Sequence, residues 1–182
     1  MDFALTEHQR SIDESVRRVC GQFEDAYWLD HDRSGDFPIE FRQAMTEGGW
    51  LGIAMPERYG GAGLGITEAA VLMHAVTDSG GAMSAASTIH INIFGPHPIV
   101  VYGSEAQRER WLPPLIAGSE IACFAVTEPN TGLDTTRLKT RAKWDGEKYI
   151  VNGEKIWTST AQVSNKMLLI ARTKDISETK KP

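Results

Sequence analysis

Cysteine is nearly absent from this chain. Only Cys20 and Cys123 occur in 182 residues, and neither stands in a CxxC pair or at ligand spacing to a histidine. That excludes a disulfide framework and a thiolate metal site, and leaves two reduced, packed thiols. Positive charge is in deficit too: 19 Lys and Arg against 24 Asp and Glu give a net charge of -5. With no basic field to gather phosphates, nucleic acid is a poor partner. Long hydrophobic runs are missing, and MDFALTEHQRSIDESVRRVC mixes acids and bases without the apolar core of a signal peptide or membrane span. The expectation is a soluble, cytoplasmic protein. No GxSxG elbow occurs, and His74, His90 and His97 are not spaced i, i+4, so neither nucleophilic hydrolysis nor a metal site is indicated. The glycines of YGGAGLG (residues 59–65) lack the GxGxxG register and a preceding buried strand. They predict a flexible connection between helices.

What is present is enough apolar sequence, 41% of residues, to bury a real core in one large or two small domains. Thr6 and Gln9 form a capping-box pattern, and Ile12, Val16, Val19 and Phe23 recur at helical spacing, predicting a helix over 7–23. Further helices are expected after Pro38 up to Gly48 and Gly49, over 67–79, over 82–94, and from Ser104 to Trp111, where Pro113 and Pro114 end the last one. Beyond Gly118 the period becomes alternating. Strands are predicted over 121–127, 138–144, 148–151, 154–159 and 166–173, with tight turns at Asp145-Gly146 and Asn152-Gly153, followed by a polar tail, KDISETKKP. The fold class is α+β: an all-helical domain over 1–118 and a short, truncated antiparallel β domain over 119–182.

Two segments carry candidate chemistry. In FAVTEPNTGLD (124–134) an apolar strand breaks off into a hydroxyl, an acid, a proline and a turn. Backbone groups at such an end point outward in fixed positions, Thr127 adds a donor and an acceptor, and Pro129 with Asn130 or Gly132 at positive φ would set the loop in advance. In NGEKIWTST (152–160) an aromatic face, Trp157, is followed by Thr158, Ser159 and Thr160. Two such edges in one small sheet favour a flat, heteroatom-edged cofactor. Trp144 reads as a plain sheet aromatic.

CFAVTEPNTGLD followed by YIVNGEKIWTS closely resembles the flavin-binding signature of the acyl-CoA dehydrogenases, and GGWLGIAMPERYGGAGLG and VYGSEAQRERWLPPLIAGSEIACFAVTEP resemble the helical domain and junction of that family. The resemblance covers nearly the whole chain. It implies FAD held among a helical N-terminal domain, a middle β domain and a C-terminal four-helix domain, of which this chain has the first and part of the second. It implies that Phe124, Ala125, Val126 and Thr127 face the flavin, with Val126 and Thr127 at its pyrimidine edge, that Trp157 packs on the isoalloxazine, and that Thr158 and Ser159 flank it, Ser159 near N5. The reaction implied is removal of an α proton and a β hydride from an acyl-CoA, with donors stabilising charge on the reduced flavin. The carboxylate base of the family lies beyond this sequence, and Glu128 matches the structural acid of the signature rather than the base. The serine that usually touches CoA is replaced by Leu133, leaving backbone groups there. The helix over 85–94 would line the acyl pocket. The partners implied are acyl-CoA, an electron-transferring flavoprotein and a homotetrameric assembly. Flavin monooxygenases and nitroalkane oxidases share the architecture and remain open, as does a non-catalytic binding module.

Overall fold

The computed structural model describes residues 4–174 and Glu178, so the anticipated polar tail lies outside the described residues except for Lys174 and Glu178. Helix α1 (Glu7–Cys20) begins at the expected capping box: Gln9 N donates to Thr6 Oγ1 at 3.2 Å, and Thr6 N donates to Gln9 Oε1 at 3.0 Å. Its buried stripe of Ile12, Val16 and Cys20 packs on Ala69, Leu72, Ala75 and Val76 of α4 (Ile66–Thr77). Helices α3 (Ile39–Glu47) and α5 (Ala82–Phe94) complete this core with Phe41, Met45, Ala85, Ile89 and Ile93. Pro38 and Gly48 bound α3 as the sequence indicates, Gly49 taking the left-handed conformation at φ 75°.

Two helices had no forecast. Helix α2 (Asp25–Ser34) buries only Trp28 and has no side-chain cap, so it carries no amphipathic signature. Tertiary packing holds it instead: the Trp28 ring lies 5.0 Å from that of Phe41, and its Nε1 donates to Phe23 O at 3.2 Å. Gly81 is needed for this approach, because any Cβ there would enter the Trp28 ring. Helix α6 (His97–Tyr102) follows Pro96 directly.

Helix α7 (Glu105–Ile116) corrects an expectation. Ser104 and Gln107 cap it as anticipated, but it continues through Pro113 and Pro114 instead of stopping at Trp111. The prolines delete two donors, yet the fully buried Leu112 and nearly buried Leu115 keep that turn on the core. The Pro113 and Pro114 carbonyls accept from Ala117 N at 2.9 Å and Glu120 N at 3.1 Å. The loop over 59–65 is likewise no flexible connection. Ala62 N, Gly63 N and Leu64 N donate to Gly52, Met55 and Ile53 carbonyls at 2.8–3.0 Å, which lashes the loop to the segment before it.

The β part is smaller than expected and differently connected. Strand β1 (Ala122–Ala125) pairs in parallel with β4 (Lys166–Leu169), Phe124 lying opposite Leu168. Among the described strands β2 (Arg141–Trp144) and β3 (Tyr149–Asn152) are the antiparallel pair, joined by the foreseen turn in which Asp145 Oδ1 accepts from Glu147 N and Lys148 N, both at 2.9 Å. Trp144 is the expected sheet aromatic, edge-on to Tyr149 across the ladder at 5.1 Å. Residues 154–159 form no strand. No helix of the described residues is long and apolar enough to cross a membrane.

Two contacts fix β1 on the helices. Asn92 Oδ1 of α5 accepts from Ala122 N at 3.3 Å. Arg42 of α3, only 4% exposed, donates through Nη1 to Gly118 O at 2.9 Å and through Nη2 to Glu120 O at 3.1 Å. Burial pushes the Arg42 guanidinium pKa down. We expect Arg42→Ala to lower stability by about 2–3 kcal/mol, because it strips two carbonyls of their donors and leaves a gap. Urea unfolding checks this, and Arg42→Lys should recover only part of the loss, since an ammonium lacks the fork that spans both oxygens.

Candidate functional site

The end of β1 and the segment over 155–160 meet. As β1 stops, Ile170 N donates to Ala125 O at 3.0 Å, and the next two carbonyls turn to the other segment. Lys155 Nζ donates to Val126 O at 2.8 Å, and Ile156 N donates to Thr127 O at 3.0 Å. This overturns the expected strand over 154–159: Lys155 and Ile156 spend their polar groups on the β1 terminus instead of on a ladder. Among the described residues, the Val126 N–H, the Thr127 N–H and the Thr127 hydroxyl have no hydrogen-bond partner.

Glu128 explains why the chain turns there. It is 6% exposed, its Oε2 accepts from Lys139 N at 2.7 Å, and its Oε1 accepts from Thr140 N at 2.8 Å and Lys155 Nζ at 3.0 Å. One carboxylate therefore joins three segments. The turn itself closes through reciprocal 3.0 Å bonds between Glu128 and Thr131 backbones. Neither Asn130 nor Gly132 takes positive φ, which corrects the expected source of preorganisation. Burial alone would push the Glu128 carboxyl up, but Thr140, Lys139 and Lys155 outweigh it and hold the pKa at about 2, against an ordinary 4.5. An acid so depressed is a poor proton acceptor at neutral pH, which fits the structural role implied for Glu128.

The Glu128 contribution is fully present above pH 4.5 and is lost as pH falls through about 2. Acid unfolding of the wild type should steepen across that window, and a Glu128→Gln variant should show a flatter pH dependence there.

The structure brings together most of the residues singled out from sequence. Ala125 is buried, Phe124, Val126, Thr127 and Thr158 are half-buried, and Ser159 is exposed. Trp157 is 86% exposed, and its φ is 58°. Thr160, at φ 63°, is buried and donates to Ser159 O at 2.6 Å. Two non-glycine residues in left-handed conformation within four positions are strain that a binding segment tolerates. Ser159 and Thr160 also border a cavity of about 280 Å³ whose other wall is Ser84, Ser87 and Thr88 of α5, with Asp36 at its rim. Helix α5 thus reaches the site through hydroxyls.

Leu133 stands apart. Its side chain is fully exposed, its carbonyl accepts from Thr135 N at 3.1 Å, and the adjoining Asp134 caps the following turn through Thr136. Among the described residues no bond ties it to Trp157 or Ser159. A larger cavity of about 610 Å³ lies between α5–α7 and the β1–β4 pair; Ile91, in the helix expected to line an acyl pocket, borders it, and none of Phe124–Thr127, Leu133 or Trp157–Ser159 does. No cluster of three metal-ligand side chains occurs among the described residues.

Lys155 is the residue that sequence reasoning missed. Its only local signal is a charge inside the otherwise apolar beat of KIW.

Together these features form one edge: a strand end with open donors, an exposed indole, and a hydroxyl-lined recess. Residues 6–119 match the family model described as acyl-CoA dehydrogenase, N-terminal domain, and residues 123–181 match that of the acyl-CoA dehydrogenase middle domain. Relatives include a probable acyl-CoA dehydrogenase, YngJ, of Bacillus subtilis (strain 168), 32% identical over 95% of this chain and 45% of its own. The acryloyl-CoA reductase (NADH) of Anaerotignum propionicum is 34% identical over 95% of this chain and 44% of its own. A solved structure of a glutaryl-CoA dehydrogenase from Mycobacterium smegmatis in complex with FADH2 superposes with a TM-score of 0.84 at 28% identity, covering 94% of this chain and 44% of that one. The chain belongs to the acyl-CoA dehydrogenase family. It spans under half the length of these relatives.

Proposed function

We propose that the full-length protein is an FAD-dependent acyl-CoA dehydrogenase, and that this chain is its helical N-terminal domain (1–118) and the first part of its middle β domain (119–182). The observation that carries the reading is the junction of β1 with residues 155–160, where ordered backbone presents open donors beside an uncovered Trp157. That donor set fits a planar ring with a heteroatom edge. Val126 and Thr127 would hold the pyrimidine edge, Phe124, Ala125 and Trp157 the ring surface, and Thr158 and Ser159 the region near N5. Bound FAD would supply the acceptor for the hydride that leaves the β carbon of the thioester.

The residues of this chain orient rather than transfer protons. Glu128 is consumed by three donors, and Glu120 pairs with Lys166 at 3.0 Å. By the family resemblance, the carboxylate that takes the α proton would come from a C-terminal helical domain. Leu133 would meet the CoA portion through backbone groups only. Electrons would leave to an electron-transferring flavoprotein, and the assembly would be a homotetramer.

The test is to purify the full-length protein, record flavin absorbance, and add acyl-CoAs without oxygen. Bleaching of the oxidised flavin supports the dehydrogenase. No bleaching with any acyl-CoA, together with NADH-dependent oxygen uptake, sinks it in favour of an oxygenase. The relative named acryloyl-CoA reductase favours a second reading, in which NADH reduces the protein and an enoyl-CoA restores the flavin absorbance.

A further inference from the structure

We infer that Lys155 is a positioning residue that sharpens the Thr127 N–H as a donor to the cofactor edge, acting through the Val126–Thr127 peptide. This deepens the flavin reading and rests on it. In a trans peptide the C=O and the following N–H point in opposite directions. The Val126 carbonyl is fixed on the Lys155 ammonium at 2.8 Å, so the Thr127 N–H is aimed away from Lys155. The next carbonyl, that of Thr127, is fixed by Ile156 N at 3.0 Å, and the Glu128 N–H that follows is fixed by Thr131 O at 3.0 Å. The two carbonyls and the following N–H are therefore spoken for, while the Thr127 N–H stays open among the described residues.

Lys155 also adds a charge. Its side chain is only 9% exposed, so the ammonium acts on the Val126 carbonyl with little screening by water. A cation on the carbonyl of an amide draws electron density from its nitrogen and makes the N–H a stronger donor, the polarisation that runs along any hydrogen-bonded chain. Glu128, 3.0 Å from the same ammonium, balances its charge. What Lys155 delivers beyond the pair is directional polarisation of one peptide, felt most by a ligand that gains negative charge, as the reduced pyrimidine edge does.

The experiment uses full-length protein loaded with FAD and measures its midpoint potential beside FAD stoichiometry and thermal stability. Lys155→Arg should hold the potential. Lys155→Met should weaken binding of the reduced form relative to the oxidised form by about threefold to tenfold, a negative shift of about 15–30 mV for a two-electron couple. The neutral pair Glu128→Gln/Lys155→Met separates polarisation from the field of an unbalanced Glu128, and it also decides the matter if Lys155→Met does not fold. A lowered potential in the pair upholds the inference. An unchanged potential in the pair, with FAD fully bound, overturns it and leaves Lys155 as a structural clasp. Wild-type protein that cannot be loaded with FAD overturns the flavin reading itself, and this inference with it.

Discussion

Glu128→Ala is expected to lower stability by about 3–5 kcal/mol, the range seen when one partner of a buried ion pair is removed. The Lys155 ammonium would be left in a site that exposes only 9% of its side chain, and the Lys139 and Thr140 N–H groups would lose their acceptor. Glu128→Ala combined with Lys155→Met should recover part of the loss, since no bare charge is then buried. Urea unfolding of the single and double variants, read as a cycle, checks this. A single variant within 1 kcal/mol of wild type would mean that water reaches Lys155 freely.

Trp157→Ala should behave in the opposite way. With 86% of the residue exposed, its removal should change stability by no more than about 0.5 kcal/mol. FAD binding by the full-length protein should nonetheless weaken by about tenfold or more, because an indole stacked on a ring contributes on the order of 1–3 kcal/mol. Titration of apoprotein with FAD, followed by flavin fluorescence, measures it. Equal affinity in both proteins would remove Trp157 from the site. Substitution of Trp144, paired only with Tyr149 in the hairpin, serves as the control aromatic.

These two variants also mark what the sequence could and could not disclose. Trp157 and the Thr127 edge could be singled out because strand ends, hydroxyls and aromatics announce themselves within a few residues. Caps were legible for the same reason: Thr6 with Gln9, and Ser104 with Gln107, satisfy backbone groups three positions away. Helix α2 was hidden because it is held by Trp28 against Phe41, a contact between segments. The passage of α7 through two prolines depends on the burial of Leu112 and Leu115. Parallel pairing of β1 with β4, and the diversion of Lys155 and Ile156 to the β1 terminus, are facts about partners distant in sequence, to which an alternating pattern is blind. Glu128 was recognised as a structural acid by resemblance, but its three donors come from residues 139, 140 and 155.

The parallel β1–β4 pair bears on how the chain opens. Residues 122–125 meet residues 166–169 only after the chain between them has been drawn in. Among the described residues the pair is a two-stranded sheet whose β4 is exposed or half-buried, whereas the facing residues of α1, α4 and α5 are buried. The rim that would grip a flavin should therefore open before the α1–α4–α5 core does. A ligand that binds only the closed rim would draw that equilibrium toward itself, so occupancy should slow hydrogen exchange at β1 and β4 more than in the helices.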